Sequence, residues 1–361
     1  MKISFFDDEP EIFPLQYGGK ARTIINLATE FAKHPEVDQV KVLSRSIFSD
    51  KDEFEKDGVK FVSLNDTNTI SMIAKECDEC DILNIHCCSF TFPVINKRAK
   101  KFYFLHDVLI ATADKGSHLD KSLGGDFDFV IAPSEFAKQI YDKNKSIIGG
   151  KIECVVIPRN INRELFNKVE KKEMINKNDL PEILKKVIGK YKNIYFFPSR
   201  PIEEKGGAYM ISLAKKLIEK QEDTCIIGPF DNIKDLPENC INSGWISSKE
   251  LKYYYSLSNI TFNFSTLPES FSQICIESIG CQTPVVSFSS GNIPYLSEMF
   301  DSLILCEKNV DSILYAVEKA LLIKNDKEKM QEEQNKIFSY FDKEKIINKY
   351  IELYKKTLGV K

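Results

Sequence analysis

What most constrains this chain is an alternation of short apolar strand patterns with amphipathic helical ones, running through nearly all of its 361 residues. Strand patterns fall at Lys2 to Phe6, Val40 to Leu43, Val59 to Leu64, Ile82 to His86, Phe102 to His106, Phe127 to Ala132 and Cys154 to Ile157. After the first, Ala21, Ile24, Ile25, Ala28, Phe31 and Ala32 recur at helical spacing. A polar segment rich in Lys and Asn, Asn167 to Asn178, interrupts the rhythm and is read as the domain junction. A second series follows, with strands at Ile194 to Pro198, Thr224 to Ile227, Ile260 to Phe264, Pro284 to Phe288 and Leu303 to Cys306. Helices are expected over Ala208 to Glu219, Lys249 to Leu257 and Val310 to Ile323, and throughout Lys327 to Leu358. Such alternation predicts parallel sheets covered by helices on both faces, in two doubly wound α/β domains of Rossmann-like type. Ligands of such sheets bind beyond the carboxyl ends of the strands, so a cleft between the two domains is the expected site.

Composition narrows the function. With 43% hydrophobic residues, 29% charged residues and a net charge of -3, the chain reads as a soluble globular protein without the basic face of a nucleic-acid binder. No apolar run approaches the roughly eighteen residues of a membrane span, and Met1 opens directly into a strand pattern, so a cytoplasmic location is expected. The cluster Cys77, Cys80, His86, Cys87 and Cys88 invites a zinc reading. Against it, Cys77 and Cys80 close a helical pattern and no second C-x2-C pair follows, so packed thiols and no metal are expected. Asn96 to Phe104 is basic and aromatic; it reads as a solvated helix end entering a buried strand, or as a peripheral contact with an anionic membrane surface.

Two segments carry candidate chemistry. Glu269 and Glu277 stand eight positions apart on either side of a predicted helix N-terminus. Glu269 falls on a loop past a strand; Glu277 lies about 60° from Ile274 on the helical wheel, at the border of the apolar stripe, where it can point along a cleft edge. Arg200 and Lys205 occupy a loop between a strand and a helix, with Gly206 and Gly207 at the helix start. Unpaired backbone N-H groups and the helix dipole make such corners anion sites. Taken singly, each of these side chains also fits a solvated surface charge. No G-x-G-x-x-G follows the first strand and no P-loop occurs, which disfavours the usual dinucleotide and NTPase sites.

The stretch E-S-F-S-Q-I-C-I-E resembles the E-x7-E signature of retaining GT-B glycosyltransferases of the group 1, family 4 type. Arg200 to Gly206 is similar to that family's G-R-x4-K-G element, Gly18 and Gly19 to its N-terminal glycine pair, and His106 to its histidine near the donor sugar. Phe129 to Ser134 and Ile157 to Phe166 resemble two further elements. Arg159 and Asn160 depart from an Asn-Gly pair, Ser272 from a frequent Gly, and Asn292 and Tyr295 from Gly and Glu.

The resemblance implies an acceptor domain over residues 1–165, joined by a C-terminal helix over 343–361, and a nucleotide-sugar domain over 166–342. It implies that Glu277 binds ribose and Glu269 the sugar hydroxyls, while Arg200 and Lys205 neutralise the leaving diphosphate. The helix start at Ser270, Phe271 and Ser272 would assist, Gly18 and Gly19 would let backbone approach the donor, and His106 would steady the sugar. The implied activity is retaining, metal-independent transfer of a hexose from a nucleoside-diphosphate sugar, UDP-sugar slightly favoured over GDP-sugar, to a glycan or glycolipid hydroxyl. The role would be polysaccharide, glycan or glycolipid synthesis at the inner face of a membrane. A sugar-nucleotide epimerase of the same fold and a non-catalytic nucleotide-sugar-binding protein are the alternatives.

Overall fold

A computed structural model describes residues 1–7, 19–45, 53–64, 69–87, 98–106, 127–145, 152–231 and 233–360. The chain divides into two compact units, residues 1–159 with 343–361, and residues 160–342.

The first unit is built on an eight-stranded sheet in the order β3-β4-β2-β1-β5-β6-β7-β8. Its strands are β1 (Lys2–Asp7), β2 (Gln39–Arg45), β3 (Glu53–Lys56), β4 (Val59–Leu64), β5 (Ile82–Cys87), β6 (Lys100–Phe104), β7 (Phe129–Ala132) and β8 (Glu153–Val156). All neighbours are parallel except β3, an antiparallel edge strand hairpinned onto β4. Its turn, Asp57-Gly58, has positive φ at both residues (52° and 76°), the geometry that matches hairpin twist. One face of the sheet is covered by helices Thr69–Glu79 and Glu135–Asn144 over a core that includes Leu43, Leu83, Ile85, Val130 and Tyr141. The other is aromatic: Phe5 and Phe102 meet Phe31 of helix Gly19–Ala32 and Tyr354 of helix Lys343–Leu358. The thiols of Cys77 and Cys154 are packed in the first core, burial pushing them up to about 11 and about 12. Among the described residues no group of His, Cys, Asp or Glu is arranged to hold a metal; Cys88 lies outside them.

The second unit carries a six-stranded, wholly parallel sheet in the order β11-β10-β9-β12-β13-β14. These are β9 (Asn193–Phe196), β10 (Thr224–Gly228), β11 (Cys240–Asn242), β12 (Ile260–Asn263), β13 (Val285–Phe288) and β14 (Leu303–Cys306). Helices Gly207–Glu219 and Val310–Asn325 cover Phe197, Ile226, Phe262, Phe264 and Phe288 on one face. The helix expected to run unbroken from Lys327 to Leu358 is two, Lys327–Tyr340 and Lys343–Leu358. The break follows from Phe341: its ring is buried edge-on to Phe271, and its carbonyl leaves the helical ladder to accept the Ile161 N-H.

Both sheets have one place where the winding reverses. In the second, the chain runs outward from β9 through β10 to β11, then returns to β12 and proceeds the other way. In the first, β1 leads outward to β2, and the chain returns to β5 on its opposite side. Loops diverge above such neighbours and leave a crevice at the carboxyl ends of the strands.

Candidate active site

At the β9/β12 reversal the two loops are sewn together by backbone. The Thr266 N-H, past β12, donates to the Glu204 carbonyl, past β9, at 2.9 Å. Gly206, at φ 76°, lets the β9 loop pass beneath β12: a Cβ there would lie 2.3 Å from the Phe264 carbonyl oxygen. Lys205 closes a short 3-10 turn, Glu203–Lys205, and its Nζ donates to Glu269 Oε1 at 2.7 Å. Two side chains 64 positions apart, each visible singly in the sequence, thus form one half-buried ion pair at the crevice. Arg200, on the same loop as Lys205, is exposed; its carbonyl accepts from the Ile202 N-H at 2.9 Å, and its guanidinium has no partner among the described residues.

Glu269 is held by its main chain. The Asn292 N-H donates to its carbonyl at 2.8 Å, and a Cβ on Gly291 (φ 62°) would fall 2.3 Å from that oxygen. Asn292 itself sits at φ -77°, so nothing in its own backbone calls for glycine. Ser272 is different: at φ 71° it occupies a left-handed conformation that glycine adopts freely. Its hydroxyl accepts from Asn263 Nδ2 at 2.9 Å and donates towards Cys275 Sγ at 3.2 Å, partners that glycine would lack. Helix Gln273–Gly280 begins there. Ser270 and Phe271 are buried just before it. Glu277, read as lying along a cleft edge, is only 3% exposed and accepts from the Tyr255 hydroxyl at 3.2 Å. Helix Leu251–Leu257, which supplies Tyr255, covers a side that the helical wheel leaves open.

The β1/β5 reversal is built from neutral rings. His86, at the end of β5, stacks on Phe5 (5.5 Å) and Phe104 (4.2 Å), and its Nδ1 meets His106 Nε2 at 2.7 Å. His106 Nδ1 in turn faces an Arg159 guanidinium nitrogen at 3.1 Å. Burial first, then nearby cations, holds His86 well below the ordinary imidazole range; His106 is lowered by burial, then by His86, Arg159 and Lys20. Beside them, Lys20 Nζ pairs with buried Asp7 at 2.9 Å. Gly19 opens helix Gly19–Ala32, and Gly18 lies outside the described residues. Sequence reasoning saw His86 only as a zinc candidate.

It also passed over Trp245. The chain's single tryptophan stands past the end of β11 and is 65% exposed, after Gly244 at φ 61°. Asn242 stiffens its loop, the side-chain oxygen accepting from the N-H groups of Phe230 and Gly244.

Two doubly wound units of these topologies define the GT-B fold, and solved structures agree over nearly the whole chain. Sucrose-phosphate synthase from Thermosynechococcus elongatus superposes with a TM-score of 0.76 at 14% identity, covering 99% of each chain. A glycosyltransferase from Rickettsia africae gives 0.75 at 18% identity, covering 99% of this chain and 98% of that one. HepE from Anabaena, in complex with UDP, gives 0.73 at 17% identity, covering 98% and 99%. At such identities the likeness is one of fold. Residues 178–337 match the family model of glycosyl transferases group 1, and this match supports a sugar-transferring enzyme of that group. No curated protein matches the chain by sequence. Among the described residues no helix is long and apolar enough to cross a membrane.

Proposed function

We propose that the protein is a retaining glycosyltransferase that takes a hexose from a nucleoside-diphosphate sugar, a UDP-sugar before a GDP-sugar, and passes it to the hydroxyl of a glycan or glycolipid. The observation that carries this reading is the Lys205–Glu269 pair at the β9/β12 reversal, with Arg200 on the adjoining loop and Glu277 on the next helix. The second unit holds the donor and the first the acceptor. HepE, of the same fold, is known with UDP-glucose bound, which favours a uridine nucleotide here.

As the bond to the diphosphate breaks, negative charge grows on the leaving oxygen. Arg200 and Lys205 stabilise that charge more in the transition state than in the ground state. Glu269, already oriented by its backbone and by Lys205, accepts hydrogen bonds from sugar hydroxyls; Glu277 accepts from the ribose. Trp245 offers a face on which the base can stack. β11 is two strands from β9, about 10 Å at ordinary strand spacing, which suits the span from diphosphate to base. The acceptor approaches on the side the diphosphate leaves, and a leaving phosphate oxygen takes its proton.

The test begins with thermal shift against UDP-, GDP-, ADP- and dTDP-sugars, since a ligand of the folded state raises its stability. Transfer with the best donor is then followed by proton NMR of the product. Retention of the anomeric configuration is expected. An inverted product, or donor isomerised without any acceptor, overturns the reading.

A further inference from the structure

We propose that Arg159 and His86 clamp His106 between them, Arg159 fixing its Nε2-H tautomer and His86, a positioning residue, accepting from that Nε2-H to hold the ring, so that the imidazole beyond β6 is a fixed neutral group and not the acid or base of glycosyl transfer. The last clause rests on the function proposed above; the clamp itself does not.

The argument is one of donors and acceptors. A guanidinium has N-H donors and no acceptor, so the His106 Nδ1 that faces Arg159 at 3.1 Å carries no proton. A neutral His106 therefore carries its proton on Nε2. That proton points at His86 Nδ1, 2.7 Å away, which must then be bare as well. His86 in turn carries its proton on Nε2, an atom with no hydrogen-bond partner among the described residues. A second proton on His106 would set one N-H against another. Arg159, where the family resemblance leads one to expect Asn, is thus the residue that sets the order of protons along the row.

The row is also held in place. β1 and β5 pair in register through Phe6 and Ile85, but Asp7 pairs with Cys87, so His86 is the extra residue of a bulge. Bulges re-aim side chains and recur beside active sites. The His86 ring is 2% exposed and stacked on two phenylalanines, so it cannot turn to offer its other nitrogen without moving Phe5 and Phe104. Among the described residues, the charged and titratable groups around the pair are Asp7 on β1, Lys20 on helix Gly19–Ala32, Arg159 after β8, and Tyr350 and Tyr354 on helix Lys343–Leu358. The two cations nearest the rings, Lys20 and Arg159, both oppose a charged imidazole.

The experiment uses the full chain labelled with 15N-histidine and long-range proton–nitrogen correlation, the four histidines being assigned by single substitutions. It needs no donor or acceptor. Between about pH 6 and 8, where a free imidazole titrates, His86 and His106 should both appear as Nε2-H tautomers with unchanging shifts. A His106 found as the Nδ1-H tautomer, as a mixture, or titrating in that range overturns the clamp. Arg159→Leu, which removes the donor that keeps Nδ1 bare, should release His106 into a mixture of tautomers, and His86→Leu, which removes the acceptor that holds the ring, should lower kcat by about tenfold or more, as loss of orientation does. His86→Asn, whose amide oxygen can replace Nδ1 as acceptor, should restore most of the turnover, and it keeps the test open if the leucine variant fails to fold. Parental turnover in His86→Leu, or an unchanged single tautomer in Arg159→Leu, would count against this clamp. The expected spectra in a protein that transfers no sugar would remove the transferase reading and leave the clamp standing.

Discussion

The two winding reversals occupy equivalent places in similar sheets and are made in opposite ways. At β9/β12 the side chains are charged and partly open to solvent, and the precision comes from backbone: glycines at positive φ and carbonyls clasped by amides. At β1/β5 two neutral rings are stacked and bonded in a row that ends on the Arg159 guanidinium, beside the buried Lys20–Asp7 pair, and the precision comes from the side chains themselves. A site that must meet a highly charged group keeps its charges near water and fixes them through the chain. The buried row holds its shape by pairing one ring with the next, with the His86 Nε2-H left over at its end among the described residues.

The sharpest way to break this contrast is to remove the charges. Arg200→Ala and Lys205→Ala should each lower kcat by about a hundredfold or more. At the exposed Arg200, stability should change by no more than roughly 0.5 kcal/mol. Near-parental kcat in both, with the correct donor and acceptor, would move the chemical centre elsewhere. Next comes the backbone. Gly291→Ala puts a methyl against Glu269, and a displacement of about 1 Å there should cost about tenfold to a hundredfold in turnover. Gly189→Ala is the control, since Gly189 is also left-handed (φ 82°) but has nothing within 4 Å; its cost should be stability alone, about 1–2 kcal/mol. Equal kinetic losses in the two variants would mean that strain, not Glu269, is being measured.

Smaller effects separate the units further. Nucleotide binding should quench the fluorescence of Trp245, and Trp245→Ala should weaken binding by about 1–3 kcal/mol if a base stacks on it. Unchanged affinity would place the base elsewhere. Acid should act on the first unit through His86 and His106. Their native values lie below 6.5, so as pH falls beneath 6.5 the unfolded chain takes up protons that the native rings refuse, and stability drops; above 6.5 it does not change on their account. Hydrogen exchange of β5 and β6 amides, measured as a free energy of opening at several pH values, reads this directly. Exchange free energies that stay level through that window would contradict the burial of neutral rings. The smallest expected effect is none: on the proposed reading Arg200, Lys205 and a helix start, not a metal, neutralise the diphosphate, so EDTA should leave turnover unchanged. Loss restored by magnesium or manganese would refute that.

What was legible in the sequence followed from local pattern. Val59–Leu64 and Leu303–Cys306 lie where apolar spacing places them, because buried strands must be apolar. Strand β3 was illegible because Glu53–Lys56 is an edge strand with polar residues on both sides, and β11 because three residues carry no period. Most of the candidate site residues were visible, Trp245 and the place of His86 excepted, but their pairings were not. Lys205 meets Glu269 only because β12 returns to lie beside β9, and His86 meets His106 only because β5 and β6 are neighbours and a bulge turns the first ring. Such contacts depend on which strands adjoin, which no window of sequence contains.

The break at Phe341 has a consequence for how the molecule is made. Helix Lys343–Leu358 belongs to the first unit, where Tyr350 and Tyr354 pack on Phe31, Phe102 and Phe104. On the ribosome, residues 160–342 emerge complete while residues 1–159 still lack that helix. The unit that begins first is therefore the one that can finish only last, and until then its aromatic face stays uncovered. Chaperones that hold apolar surface would meet the amino-terminal half of this chain, with the carboxyl-terminal sheet already folded behind it.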